Sequence, residues 1–498
     1  MASNLDDATC TVSTAAGAVR GSRGSGVVEF LGIPYGAAPV GELRFAAPRP
    51  RDPWEGVLDA TRFGPRPPQP EMATTLDVPR ATGPMGEDCL RVNVSTPGPD
   101  GSRPVMVWLH GGGLAFGSAD EYDGSRLAAN NDVVVVTVGY RLGLLGFADL
   151  SPCGPEHAGS ASNGFRDQIL ALEWVQANIA AFGGDPGNVT LFGQSGGGVS
   201  ILALLGAPSA TGLLHRAIVL SAGPPQPAPP EVVSILAGTL LDDGDDVANL
   251  PDRLRDLPVE RILELQQGIG FTAGGCVDGT VVTRSPVDAI LARGAAGVPI
   301  IAGSTRDEGT LLTSMMGGLR PAVLRMIAEG LAAGTFDGDD PAGYLAALDG
   351  ALGGDAVALH TEVWTDHFRR TAVRIAAAAC AAGPGGWLYR FDLPPTGPLA
   401  ADLGVTHAAD LGFVFDTIGD GAGLYDPGDP AVREVAAQWS ATLASFARHG
   451  HPNVARPDWP RHLPGRRCLV VDHPTRIGTD LDADRQRIWD AVGTGGAV

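Results

Sequence analysis

The pentapeptide Gly193-Gln194-Ser195-Gly196-Gly197 fits the pattern G-x-S-x-G. In that pattern a serine sits on a sharp strand-to-helix turn with its hydroxyl lifted above a sheet. Glycine is needed two positions either side, where a Cβ would collide with neighbouring backbone. The flanks give the right context. "NVTLF" (Asn188 to Phe192) reads as a strand running in, and "GGGVSILALLG" (Gly196 to Gly206) as a helix running out. A helix N-terminus also favours developing negative charge. The competing reading is a glycine-rich turn with an idle serine. A serine hydroxyl is a poor nucleophile until a base takes its proton, so partners decide between the two.

A second glycine run, "WLHGGGLAFG" (Trp108 to Gly117), lies at another strand end. Bare backbone N–H groups there can point at an oxyanion, and Gly112, Gly113 and Gly196 together are candidates for such a hole. An acid and a base complete the set. On the residues alone, Asp307 and Glu308 compete for the acid, and His360, His407 and His449 for the base.

Positioning these groups takes a sheet. "PVMVWLH" (Pro104 to His110), "VVVVTVGY" (Val133 to Tyr140), "NVTLF" and "AIVLS" (Ala217 to Ser221) are continuous apolar runs. Such runs suit parallel strands covered on both faces. "VPIIAG" (Val298 to Gly303) and "GWLYRF" (Gly386 to Phe391) extend the series. Between strands, Ile169, Leu172, Val175 and Ile179 recur at helical spacing. The alternation predicts an α/β architecture. "GGDPGN" (Gly183 to Asn188) reads as a loop. "GPPQPAPP" (Gly223 to Pro230) excludes helix and central strand, and begins a stretch readable as an insertion or lid. Residues 315–382 read as a helical region in which His360 and His367 are surface or core histidines. The acidic "DDGDD" (Asp242 to Asp246) lacks the ligand spacing of a calcium loop and reads as a solvated loop.

Bulk properties exclude several classes. The chain of 498 residues has 56 acidic and 35 basic side chains, and every basic one is Arg. A net charge of −21 disfavours nucleic acid and anionic membrane surfaces as partners. No apolar run is long enough for a membrane span. "MASNLDDATCTV" has no basic n-region or apolar h-region, so no signal peptide is expected. Cys10, Cys89, Cys153, Cys276, Cys380 and Cys468 form no C-x-x-C pair. Free thiols in a reducing cytoplasm are the simplest reading.

"EDCLRVNVSTP" (Glu87 to Pro97), "HGGG" (His110 to Gly113) and "FGGDPGNVTLFGQSGGG" (Phe182 to Gly198) resemble the type-B carboxylesterases. These are the cholinesterase-like branch of the α/β-hydrolase fold, with bacterial para-nitrobenzyl esterases as the nearest-looking members. The resemblance covers most of the chain, from "FLGIPYGAAP" to "HGHPNVARPDWP", and is poorest from Leu213 to Gly297. It implies one α/β-hydrolase domain over residues 1–498. That domain would have a large, mostly parallel sheet, helices on both faces, and helical insertions at about 224–297 and 315–382. It implies Glu308, in "AGSTRDEGTLL", as the acid and His407, in "VTHAADLGFVF", as the base. The family pattern around that histidine is similar to H-G-x-E-x-x-x-V-F. The resemblance further implies ion pairs Arg44–Glu87 and Arg141–Asp167, and Ser221 as a donor behind the acid.

The chain departs from the family in several places. Gln194 stands where Glu is usual before the nucleophile, Gly196 where Ala follows it, and Ala408 where Gly follows the histidine. Cholinesterases place a Trp in the loop before "EDC"; here residues 62–86 have no aromatic after Phe63, so cation–π recognition is unsupported. Secreted relatives bridge the "EDC" cysteine to one in that loop, and Cys89 has no such partner. Both departures favour a bacterial esterase over a choline-specific enzyme. Relatives with three such glycines often accept bulky esters, including those of tertiary alcohols.

The expectation is therefore a serine carboxylesterase acting on small to medium uncharged esters through an acyl-enzyme on Ser195, with no metal and no organic cofactor. A carbamate or amide hydrolase, or an acyltransferase, would use the same groups. A non-catalytic binding protein on this scaffold would usually lack one of them. Monomer and homo-oligomer stay equally open.

Overall fold

The computed structural model describes residues 8–24, 26–70, 83–226, 230–269, 277–336, 338–418, 423–453 and 458–493. Cys276, residues 71–82 of the loop before "EDC", residues 227–229 of the proline-rich stretch and residues 454–457 of the closing motif lie outside them. The chain divides into two compact units, Met1–Arg216 with Pro225–Pro286 and Ala217–Pro224 with Val287–Val498.

The first unit carries β1 (Thr9–Thr14), β2 (Gly17–Gly24), β3 (Val27–Pro34), β4 (Val57–Asp59), β5 (Arg91–Thr96), β6 (Arg103–Leu109), β7 (Val134–Val138) and β8 (Gly184–Gln194). Their order is β1-β2-β3-β5-β7-β6-β8, with β4 beside β2. Pairing is antiparallel from β1 to β7 along that order and parallel from β7 through β6 to β8. β6 is buried from its second residue on, and β7 throughout, which the unbroken apolar runs require.

The expected loop at Gly183 to Asn188 is corrected. Arg103 pairs with Gly184, then Val105 with Val189, so residues 185–188 bulge out within the span of β8. Asp185 Oδ1 accepts from the Gly187 amide at 2.8 Å and closes the bulge. A local side-chain turn is thereby fitted into a strand whose two ends stay paired.

The helix Asn163–Asn178 follows β7, and its Ile169, Leu172 and Val175 face is buried. In the poorly matched stretch, helices run at Glu231–Leu240, Leu250–Asp256 and Val259–Gly268. The Gln266 side chain from that stretch accepts the Leu144 amide at 3.0 Å. "DDGDD" is exposed throughout.

The second unit holds β9 (Arg216–Leu220), apart from its first residue, with β10 (Ile300–Thr305), β11 (Gly386–Phe391), β12 (Arg467–Val471) and β13 (Arg476–Thr479). These follow one another in that order, parallel to β12 and antiparallel at β13. Three helices, Pro321–Thr335, Pro341–Ala351 and Ala356–Ala382, make up the expected helical region. Asp340 and Asp355 cap the second and third by accepting backbone N–H groups. Leu348, Val363, Phe336, Tyr344 and Trp489 pack a core among these helices and the helix Ala483–Val492. His360 and His367 are buried there, each with Nδ1 on a threonine hydroxyl, Thr313 at 2.8 Å and Thr335 at 2.7 Å. Among the described residues no helix is long and apolar enough to cross a membrane.

Both expected ion pairs form. Arg44 clasps Glu87 through two nitrogens at 2.7 and 2.5 Å, and Arg141 clasps Asp167 at 2.9 and 2.7 Å. Arg141 also reaches the Ala46 carbonyl at 2.7 Å, and Asp167 is wholly buried. Removing one partner of such a pair leaves an uncompensated charge in the core. Arg141→Met is expected to cost about 3–5 kcal/mol in urea unfolding, with part recovered by Asp167→Leu in the same chain. A single variant as stable as the wild type would contradict this.

Candidate active site

Ser195 sits between the end of β8 and the helix Gly196–Leu205. Its φ of 54° and ψ of −121° are a conformation that L-residues rarely adopt. That twist turns the side chain outward, and Ser195 is partly exposed between buried Gln194 and Gly196. The turn is tight enough to exclude side chains. A Cβ on Gly197 would lie 1.8 Å from the Leu109 carbonyl oxygen, and one on Gly193 2.8 Å from the same atom. The nearest strand, β6, therefore sets how closely the elbow can pack.

The glycine run begins where β6 ends. His110 is fully buried, stacked on Tyr140 at 4.4 Å, and its carbonyl accepts the Tyr140 hydroxyl at 2.8 Å. Burial pushes its imidazole down to about 4, so it is neutral at ordinary pH. Its Nδ1 lies 2.9 Å from the Gly111 carbonyl, which assigns the proton to Nδ1. The Gly112 carbonyl accepts from Ala115 and Phe116 at 3.1 and 2.9 Å, folding the run into a turn. Gly112 has a φ of 103° and Gly113 a φ of 60°. A Cβ on Gly196 would stand 2.9 Å from both the Gly113 and Leu114 nitrogens, so these amides converge. The N–H groups of Gly112, Gly113 and Gly196 bond no acceptor among the described residues. Gln194 is buried, with its carboxamide oxygen beside Gly111.

The second unit assembles the acid and the histidine. Glu308, fully buried, follows the end of β10. One carboxylate oxygen accepts the Ser221 hydroxyl at 2.6 Å and the Thr305 amide at 2.7 Å. The other lies 2.5 Å from His407 Nδ1. Asp307 turns elsewhere: it pairs with Arg306 at 3.0 Å and accepts the Val405 amide at 2.9 Å. His360 bonds Thr313, and the exposed His449 stacks on His451 at 5.8 Å. Of the three histidine candidates, His407 is the one bonded to the acid.

Two neighbours of His407 escaped the sequence reading. Phe368, from the helix Ala356–Ala382, stacks on its ring at 4.5 Å and 26°. A single phenylalanine in an apolar helix carries no signal of that. Asp410, fully buried, accepts the Tyr389 hydroxyl at 2.9 Å through one oxygen, while the other has no partner among the described residues. Burial foremost, then the nearby charge of Glu308, raises its carboxyl to about 6. Here a signal existed, since Asp410 holds the acidic place in the H-G-x-E pattern around His407.

The chain's relatives bear on this geometry. The pattern of the carboxylesterase family matches residues 8–323. A para-nitrobenzyl esterase of Bacillus subtilis (strain 168) is 36% identical over 97% of this chain and 99% of its own length. The chain belongs to the carboxylesterase family. A cocaine esterase of Oryctolagus cuniculus is 34% identical over 97% of this chain and 96% of its own. Among solved structures, a PNB esterase matches with a TM-score of 0.84 at 34% identity, over 96% of this chain and 99% of that one. A carboxylesterase of Geobacillus stearothermophilus gives 0.82 at the same identity and coverage. Membership brings the α/β-hydrolase fold and ester hydrolysis by a serine carboxylesterase.

Asp410 gives a pH-dependent prediction. Its folded value, about 6, lies above the ordinary 3.8, so the folded chain holds this proton more tightly. Its contribution to stability then falls as pH rises from about 4 to about 6 and is constant above. Asp410→Asn removes the cost of ionising it. The melting temperature of the variant relative to wild type is expected to rise across that window and level off beyond it. A difference independent of pH would contradict this.

Proposed function

We propose that Ser195 is the nucleophile, His407 the general base and acid, and Glu308 the group that orients it. The bond from His407 Nδ1 to Glu308 carries the reading, because it makes Nε2 the basic nitrogen. In this reading Nε2 takes the Ser195 proton as the serine oxygen attacks the ester carbonyl. The carbonyl oxygen becomes an oxyanion facing the N–H groups of Gly112, Gly113 and Gly196. Collapse expels the alcohol, which takes the proton from His407 and leaves an acyl-enzyme. Water, deprotonated by the same nitrogen, attacks the acyl carbon, and a second collapse frees the acid and Ser195. Glu308 stays ionised throughout and stabilises the imidazolium. Ser221 and the Thr305 amide hold the carboxylate in place. No step calls for a metal or an organic cofactor.

The substrates in this reading are small to medium uncharged esters. The neutral Gln194, where relatives carry a carboxylate, supports that choice, since a buried anion would favour a cationic alcohol. The open space where a side chain on Gly113 would stand supports room for bulky esters, including those of tertiary alcohols. We also read residues 1–498 as one catalytic domain with helical insertions at about 224–297 and 315–382. The chain would act in a bacterial cytoplasm, a reading supported by the free thiols Cys10, Cys89, Cys153, Cys380 and Cys468.

Hydrolysis of p-nitrophenyl acetate and butyrate tests the assignment. Ser195→Ala is expected to lower kcat by at least about 10⁴-fold while the protein stays folded. Equal activity in wild type and variant would refute it.

A further inference from the structure

The glycine run is held from outside by one side chain. Gln69 is buried, and its carboxamide bonds both backbone groups of Gly117. Nε2 donates to the Gly117 carbonyl at 2.9 Å, and Oε1 accepts the Gly117 amide at 2.8 Å. Nε2 also donates to the Pro67 carbonyl at 3.1 Å. The side chain thus replaces one rung of a β-ladder and leaves neither backbone group of Gly117 unpaired.

Gly117 is the far end of the run that begins at Gly111. Its φ is 97°, and a Cβ there would lie 2.6 Å from both the Gly111 carbonyl oxygen and His110 Nδ1. The end of the run therefore packs flush against its start, and the turn closed on the Gly112 carbonyl lies between. A shift of Gly117 must tilt the Gly112 and Gly113 peptides. The segment bearing Gln69 is itself anchored: Arg66 donates to Pro84 and Gly86 donates to Arg66, both at 3.0 Å. Residues 60–88 hold no cysteine, and Cys89 is a buried free thiol, so no disulfide stiffens this loop.

We propose that Gln69 is a positioning residue for the oxyanion donors, setting the direction of the Gly112 and Gly113 N–H groups through its clasp on Gly117. This rests on the oxyanion role proposed above for those glycines. The clasp touches no substrate. Its loss lowers turnover more than ground-state binding, because the donors matter most where charge develops.

The test compares full-length wild type, Gln69→Leu and Gln69→Glu with p-nitrophenyl butyrate and with a trifluoromethyl ketone. Addition of the serine oxygen to that ketone forms a tetrahedral oxyanion. Gln69→Leu is expected to lower kcat about 10- to 100-fold. KM is expected to stay within about twofold, and the ketone to lose affinity by the same factor as kcat/KM. Gln69→Glu presents a carboxylate to two carbonyls at alkaline pH. Its activity relative to wild type is expected to recover as pH falls, because the protonated carboxyl has the donor and acceptor of the amide. That recovery decides the matter if Gln69→Leu fails to fold. Wild-type kcat/KM in folded Gln69→Leu, a fall in kcat without a fall in ketone affinity, or a deficit of Gln69→Glu independent of pH would each overturn the proposal. An inert wild type would overturn the esterase reading as well; an active wild type with unaltered Gln69 variants overturns this inference alone.

Discussion

A carboxylate buried to zero exposure must find partners for its charge, and the 2.5 Å contact between Glu308 and His407 is how the second unit meets that demand. An unpaired charge in such surroundings would cost several kcal/mol, and the groups bonded to Glu308 saturate it. Ser221, at the end of β9, takes a φ of 48° and sends its hydroxyl to the carboxylate while its own amide bonds Gly303. The Thr305 amide, at the end of β10, supplies the second bond. The loop after Leu403 turns at Ala408, φ 67°, beside the histidine. Two strand ends and one loop thus follow from a single buried acid.

The first unit solves a different problem by different means. There the proposed reacting groups are a strained serine and backbone amides, and the residue choices that matter are absences of side chains. Gly193 and Gly197 allow β8 and the following helix to approach β6, and Gly196 allows the helix start to approach Gly113. Strain at Ser195 persists because the paired end of β8 on one side and the helix Gly196–Leu205 on the other determine it. Side chains act from behind: His110 and Tyr140 wedge the base of the run, and Gln69 clasps its end.

Elements buried on both faces were legible because burial leaves an unbroken apolar run, as at β6, β7 and β10. The helix after β7 showed its face through Ile169, Leu172 and Val175. Gly183 to Asn188 misled because loop residues occupy a bulge inside a strand, which composition does not separate from a loop end. Asp307 and Glu308 are adjacent and chemically alike; the turn after β10 sends one toward Arg306 and Val405 and the other inward. The family resemblance pointed to Glu308 where the residues alone left both open. Gln69 gave no signal, since all three of its side-chain bonds go to backbone. The burial that raises Asp410 arises from packing of distant segments.

In the proposed mechanism Ser195 is the one serine made reactive by its surroundings. Peptide mass mapping of the folded protein after reaction with a fluorophosphonate tests that most directly. A single stoichiometric phosphonate on Ser195 is expected, lost on denaturing the protein before reaction. No adduct on the folded protein, or an adduct on another residue, would contradict it.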